Sequence, residues 1–172
     1  VKAIRRKTDS SMVKGLTMLK DGEGDLFISA GNTGAYMAGS LFILGRIPGI
    51  DRPAISSIYP IAGGALPSII VDAGANSECR PSNLLEFAIM GSLYMEKVMD
   101  RKNARVGLVN LGVEENKGTT VTKAAHKLLK EADLNFIGNV EARYVPKGAC
   151  VVIVCDGFTG NIILNLTEGF AW

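Results

Sequence analysis

Val151-Val152-Ile153-Val154-Cys155-Asp156-Gly157-Phe158-Thr159-Gly160-Asn161 decides the fold. Four β-branched residues in a row lack the alternation of a half-exposed strand and read as a strand covered on both faces. The run breaks into a glycine-rich turn bearing Asp156, Thr159 and Asn161. A helical pattern then continues to Trp172. Strand, glycine-rich loop, helix is the building unit of a parallel sheet with crossover helices.

The same unit recurs outward along the chain. Ile69-Ile70-Val71 runs into Asp72-Ala73-Gly74-Ala75-Asn76, and Arg105–Val109 into Asn110-Leu111-Gly112-Val113-Glu114-Glu115. Asn135-Phe136-Ile137 runs into Gly138-Asn139-Val140-Glu141, and Leu26-Phe27-Ile28 into Ser29-Ala30-Gly31-Asn32-Thr33-Gly34. Ala54–Tyr59 reads as a further strand, followed by a Gly/Pro-containing loop through Pro67. Between them lie helices. Asp9 or Ser10 caps one running to about Lys20. Gly34–Leu44 is apolar throughout and reads as buried. Pro81 opens a long helix to about Met99, and Thr119 or Thr120 starts one over Val121–Glu131. The fold class expected is α/β: a mostly parallel sheet with helices on both faces, as a single domain over 1–172. Val1 is not a Met and the last helix runs up to Trp172, so a central fragment of a longer chain is expected.

Composition narrows the classes. A chain of 172 residues, 47% hydrophobic, can bury one globular core. No stretch reaches the ~18 uncharged apolar residues of a membrane span. A net charge of +2 gives no argument for nucleic acid. Lys2, Arg5, Arg6, Lys7, Lys14 and Lys20 cluster near the start and read as a solvated face, or as a surface for an acidic partner or anionic membrane. Cys79, Cys150 and Cys155 fit no zinc spacing and suggest reduced thiols in a cytoplasmic setting. His126, the only histidine, lies among Lys123, Lys127 and Lys130 and reads as a helix-surface residue.

In open parallel sheets, ligands sit at the carboxyl ends of strands. Five such ends here combine Gly with Asn, Asp, Glu or Thr. Glycine lets backbone N–H groups approach a ligand, and a following helix N terminus favours an anion such as phosphate. No P-loop lysine follows Gly31-Asn32-Thr33-Gly34, and there is no dinucleotide or nucleophile-elbow motif. No metal site is evident, although Asp72, Glu114, Glu115 and Asp156 are carboxylates that a magnesium could gather.

Ala30-Gly31-Asn32-Thr33-Gly34, Asp72-Ala73-Gly74-Ala75-Asn76, Phe87-Ala88-Ile89-Met90-Gly91-Ser92, Gly138-Asn139-Val140-Glu141-Ala142-Arg143 and Cys155–Asn161 together resemble the phosphate acyltransferase family. Arg46–Pro53 and Arg105–Leu111 fit as well, so the similarity covers nearly the whole chain in order. The family's opening strand is absent, and the loop Ile61–Pro67 is less typical. The resemblance implies transfer of a fatty acyl group from acyl carrier protein to inorganic phosphate, giving acyl phosphate for phospholipid synthesis. It implies a fold similar to phosphate acetyltransferases and to isocitrate/isopropylmalate dehydrogenases, a homodimer and peripheral membrane association. No cofactor is expected.

Phosphate itself attacks the thioester in such a reaction, so the protein must aim the dianion and stabilise the developing oxyanion. The catalytic candidates are Asn32, Thr33, Asn110, Asp156 and Asn161. The substrate-binding candidates are Gly31, Gly34, Asn76, Lys117, Asn139, Glu141, Arg143 and Thr159. Asp72, Glu114, Glu141 and Asp156 are expected to orient donors, and Lys117 and Arg143 to offset charge. Cys79 as an acyl-carrying nucleophile ranks far lower. Two alternatives stand beside this reading. One is a dehydrogenase- or kinase-like enzyme of similar fold acting on a phosphorylated substrate, which a requirement for NAD or ATP would reveal. The other is a non-catalytic module binding carrier protein or membrane through Lys2–Lys7. The apolar residues of the Pro81–Met99 helix cover more than one face, which suggests a subunit interface.

Overall fold

The computed structural model describes residues 2–171. Val1 and Trp172 lie outside the described residues, as do the side chains of Lys2, Ala3 and Ala171. The chain packs as two compact units, Val1–Pro53 and Ala54–Trp172.

The first unit is helical: α1 (Lys2–Arg6), α2 (Ser11–Lys20) and α3 (Thr33–Ile43). Ser10 caps α2 by accepting the Val13 N–H, and Asn32 caps α3 by accepting the Ala35 N–H at 2.9 Å. Leu16 is fully buried, and Gly39 lets it lie close against α3, where a Cβ would come within 2.7 Å of it. Arg5 stacks over the Phe42 ring, while Arg6 and Lys7 are exposed.

Two expectations fail in this unit. Leu26-Phe27-Ile28 is not a strand, and Leu26 and Ile28 are 68% and 84% exposed. What organises the run is Phe27, which packs on Gly15 and 5.8 Å from the Tyr36 ring, while the Tyr36 hydroxyl donates to its carbonyl. A three-residue apolar run carries too little periodicity to separate these cases. Helix α3 is also not buried along its length. Ala38 and Gly39 are buried and Phe42 is half-exposed. An all-apolar run has no period to say which face is covered.

The second unit holds β1 (Ser56–Tyr59), β2 (Ser68–Val71), α4 (Pro81–Lys97), β3 (Val106–Asn110), α5 (Thr120–Glu131), β4 (Phe136–Glu141), β5 (Val152–Val154) and α6 (Gly157–Ala171). Short 3-10 turns at Ala62–Gly64 and Ala142–Lys147 join them. The sheet order is β1-β2-β5-β3-β4. Strands β2, β5, β3 and β4 are mutually parallel, and β1 is added antiparallel at the edge of β2.

Alternation along each strand divides the core in two. Ile69, Val71, Val152 and Val154 face α4 and α5, together with Leu84, Phe87, Met95 and Leu129. Ile70 and Ile153 face the other way, with Tyr59, Val140, Val145 and the α6 residues Ile163 and Leu164. The expected mostly parallel sheet with helices on both faces is what forms. Each fully buried Leu, Ile or Phe here contributes about 1.5–3 kcal/mol. Helix α4 lies close on the sheet because Gly91 has no Cβ, which would stand 2.6 Å from Val152.

His126 corrects the sequence reading. It is buried, 5% exposed, and meets the Phe136 ring edge-on at 5.0 Å. It precedes Leu129 by three positions and so shares the buried stripe of α5, whereas Lys123 and Lys127 project outward. Among the described residues, no helix is long and apolar enough to cross a membrane.

Candidate active site at the carboxyl edge of the sheet

The strand register sets the site. Val71 pairs with Val154, Leu108 with Val154, and Asn110 with Glu141. Four parallel strands therefore release their loops at one edge. The fifth loop expected there, after Leu26–Ile28, belongs to the first unit and precedes a helix instead.

Asp72 follows β2 and is completely buried. Its Oδ1 accepts the N–H groups of Ile55, Gly74 and Ala75 at 2.9–3.1 Å. Its Oδ2 accepts the Asn76 N–H at 2.7 Å and the Asn76 Nδ2–H at 2.8 Å. This carboxylate thus orients donors, as expected, but toward itself. The loop's N–H groups point inward rather than forming a cradle for an anion, and the buried Asn76 amide is engaged in the same network. Gly74 has φ of +142°, and Asn161 on α6 lies beside it.

The loop after β3 is held by amides. Asn110 Oδ1 accepts the Leu111 N–H at 2.8 Å, and its Nδ2 donates to the Lys117 carbonyl at 3.2 Å. From β4, buried Asn139 donates to the Glu114 carbonyl at 2.8 Å, while its Oδ1 is buried without a hydrogen-bond partner. Gly118, at φ +90°, admits the side chains of Asn110 and Thr122, and Thr119 caps α5. Lys130 pairs with Glu115 at 2.6 Å and holds its carboxyl below the usual range, first through that hydrogen bond and then through its charge.

After β5, Asp156 Oδ1 accepts the Thr159 N–H at 2.8 Å and its Oδ2 accepts the Thr159 hydroxyl at 2.9 Å, closing the first turn of α6. The Gly157 N–H donates to the Asn76 carbonyl at 2.7 Å. Gly160 touches the Asp72 carbonyl, where a Cβ would stand 1.9 Å away. The β2 and β5 loops are therefore fitted directly to one another. Glu141 pairs with Arg143 at 2.5 Å.

A cavity of about 670 Å³ opens among these loops. It is bounded by the Ser77–Cys79 segment, Leu84 of α4, Val109–Leu111, Gly118, Thr119, Val121, Thr122, Ala142, and the pair Asp156 and Thr159. Of the sequence candidates, Asn110, Asp156 and Thr159 line it. Asn76 and Lys117 lie on loops around it without lining it, as do Asn139 and Glu141 on β4, which continues through the expected Gly138–Glu141 loop, Arg143 in the 3-10 turn and Asn161 on α6. Gly31, Asn32, Thr33 and Gly34 belong to the first unit, at the start of α3. Sequence reasoning missed Ser77, Glu78 and the Thr119/Thr122 hydroxyls. The signal for them was available, since the strand-end rule extends through the whole loop up to the next helix turn.

The cysteines differ in reach. Cys79 is half-buried and lines the cavity. Burial pushes the Cys150 thiol up to about 12, and burial pushes Cys155 upward too, aided by Asp156 and Asp72. Among the described residues there is no group of three or more His, Cys, Asp or Glu arranged to hold a metal ion. Asp72 and Asp156 both spend their oxygens on protein donors.

The whole of residues 1–172 matches the sequence pattern of the family described as "Fatty acid synthesis protein". The chain belongs to that family. The phosphate acyltransferase of Alkaliphilus oremlandii is 61% identical over 169 residues, which is 98% of this chain and 50% of that protein. The phosphate acyltransferase of Clostridium tetani is 59% identical over 171 residues, 99% of this chain and 51% of that protein. The chain spans about half the length of these curated relatives. Among solved structures, a phosphotransacetylase from Streptococcus pyogenes matches with a TM-score of 0.73 at 18% identity, over 92% of this chain and 54% of that one. The EutD phosphotransacetylase from Staphylococcus aureus matches at 0.64 and 16% identity, over 99% of this chain and 63% of that one. At such identities the likeness is one of fold, and it bears out the expected similarity to phosphate acetyltransferases.

Proposed function

We propose that this member of the family carries catalytic parts of a cytoplasmic acyltransferase that moves a fatty acyl group from acyl carrier protein to inorganic phosphate. The observation that supports this best is the cavity at the shared carboxyl edge of four parallel strands, rimmed by Asn110, Asp156 and Thr159, in a chain whose relatives are phosphate acyltransferases. A phosphate oxygen attacks the thioester carbonyl, the C–S bond breaks, and the carrier thiol leaves with the electron pair. Acyl phosphate is the product, on its way to phospholipid. The chemistry asks for placed donors rather than a protein nucleophile.

In this reading Asn110 and Asn161 present amide N–H groups to the phosphate and the developing oxyanion. Asp156 fixes Thr159, Asp72 fixes Asn76 and the β2 loop, and Lys117 and Arg143 lower the cost of bringing in an anion. Asn32 and Thr33, with Gly31 and Gly34, form a neutral helix start suited to phosphate. Asn139 and Glu141 hold the edges of their loops. The working protein is a homodimer that meets the membrane peripherally. The exposed Ile89, Leu93 and Val98 of the α4 segment supply apolar surface for such association.

The test is release of holo carrier protein from acyl carrier protein by the protein containing residues 1–172. Release should depend on inorganic phosphate and fall about 10²–10³-fold in Asn161→Ala. Tight binding of ATP or NAD, with no effect of phosphate on thioester cleavage, would sink the reading.

A further inference from the structure

The geometry points to the strand-end cavity as the seat of the acyl chain, with Leu84 and Val109 as its floor and Val121 as part of its wall. This inference rests on the acyl-transfer reading and adds to it where the hydrocarbon goes.

The lining is graded by depth. Leu84 is 2% exposed and Val109 is 9% exposed, and each belongs to one of the two cores of the unit. Cys79 and Val121 are half-buried, level with the polar Asn110, Asp156 and Thr159 on the opposite wall, and Leu111 is exposed at the rim. The polar groups Ser77, Glu78 and Thr119 are exposed and lie at the mouth. An apolar floor beneath a polar mouth is the arrangement that takes a hydrocarbon tail inward and leaves a polar head at the rim. The volume of about 670 Å³ falls within the range of ordinary ligand pockets, roughly 300–1,000 Å³.

The walls also explain why the cavity stays open. Asn110 and Asn139 tie the 111–118 loop to the ends of β3 and β4 through the Lys117 and Glu114 carbonyls. Each amide spends one donor on the backbone, and Leu111 and Val109 present hydrocarbon to the space. Asp156 and Thr159 hydrogen-bond to one another, which lowers the cost of laying a tail beside them.

Cys79 gives a direct reading of occupancy, because Cys150 and Cys155 are buried and poorly ionised. The intact protein is treated with a small maleimide in the presence of acetate, octanoate, decanoate or dodecanoate. Alkylation of the Cys79 peptide is followed by mass. Equilibrium dialysis of the same acids measures binding independently of thiol reactivity. Each methylene buried strengthens binding about fourfold. The concentration that protects should therefore fall about tenfold or more for every two carbons, until the floor is reached. Val121→Phe should keep the octanoate effect and abolish the gain from decanoate to dodecanoate. Acetate protecting as well as dodecanoate, or dodecanoate neither binding nor protecting, overturns the assignment. Phosphate-dependent thioester cleavage without chain-dependent protection removes this pocket and leaves the acyl-transfer reading standing. Chain-dependent protection without cleavage supports the pocket and removes that reading.

Discussion

The loops after β2 and β3 leave the same sheet edge and are built with opposite polarity. In 72–76 a buried carboxylate gathers five N–H groups from Ile55, Gly74, Ala75 and Asn76. In 110–118 the carbonyl oxygens of Lys117 and Glu114 accept from two amides, Asn110 at the start of the loop and Asn139 of β4. The first loop is self-contained: its donors are consumed and its glycine serves close packing against α6. The second is suspended at two points and keeps its hydrocarbon toward the cavity. Similar residue types at equivalent places thus do different work. One loop is a rigid seat and the other a shaped wall.

The largest effect that would break this contrast is at Asp72. Asp72→Ala leaves five donors without their acceptor in a buried setting. Removing one partner from a buried group costs about 1–3 kcal/mol, and these groups are clustered. A loss of about 3 kcal/mol or more in unfolding free energy is expected from urea titration, with Asp72→Asn intermediate. A loss under about 1 kcal/mol would mean that water replaces the carboxylate readily and that the loop is not a rigid seat.

The wall is tested next at Gly118. Its φ of +90° disfavours any side chain, and a Cβ would stand 2.2 Å from Asn110 Oδ1 and 2.3 Å from Thr122 Oγ1. Overpacking of this kind costs about 1–3 kcal/mol. Gly118→Ala should lower the unfolding midpoint accordingly and also weaken fatty-acid binding, because the Asn110 tether must move. Unchanged binding in a destabilised variant would separate the loop's tether from the cavity.

How much of this was legible beforehand follows from what each signal can carry. Ile69–Val71, Arg105–Val109 and Val151–Val154 were legible because strands buried on both faces have few other readings. Leu26–Ile28 has the same composition and is no strand, since pairing partners are not written in a three-residue run. His126 was read by its lysine neighbours, although its spacing to Leu129 placed it inside. At the site, residue type announced Asn110, Asp72 and Asp156 but not their direction. An asparagine that ties its own loop and one that faces a ligand have identical letters. Ser77 and Glu78 lie just past Asn76 in the same strand-end loop, and a reading that stopped at Asn76 missed the residues that the turn into α4 brings to the cavity.

The smallest effect sharpens the comparison from the other side. Asn139 makes one hydrogen bond, to the Glu114 carbonyl, and buries an acceptor that has no partner. Asn139→Leu has nearly the same shape and removes both features. The lost hydrogen bond costs about 1 kcal/mol, and the removed acceptor returns part of that by ending its desolvation penalty. The second tether, Asn110 to Lys117, remains, so the loop stays attached to β3. The net change in unfolding free energy should be about 0–1 kcal/mol, far below that of Asp72→Ala. Local opening should show more clearly, with amide exchange in 112–117 rising about fivefold, the equivalent of one hydrogen bond. If instead Asn139→Leu costs more than about 2 kcal/mol, its Oδ1 must find a partner in solution. The β3 loop would then be as internally saturated as the β2 loop, and the difference between seat and wall would lie in sequence alone.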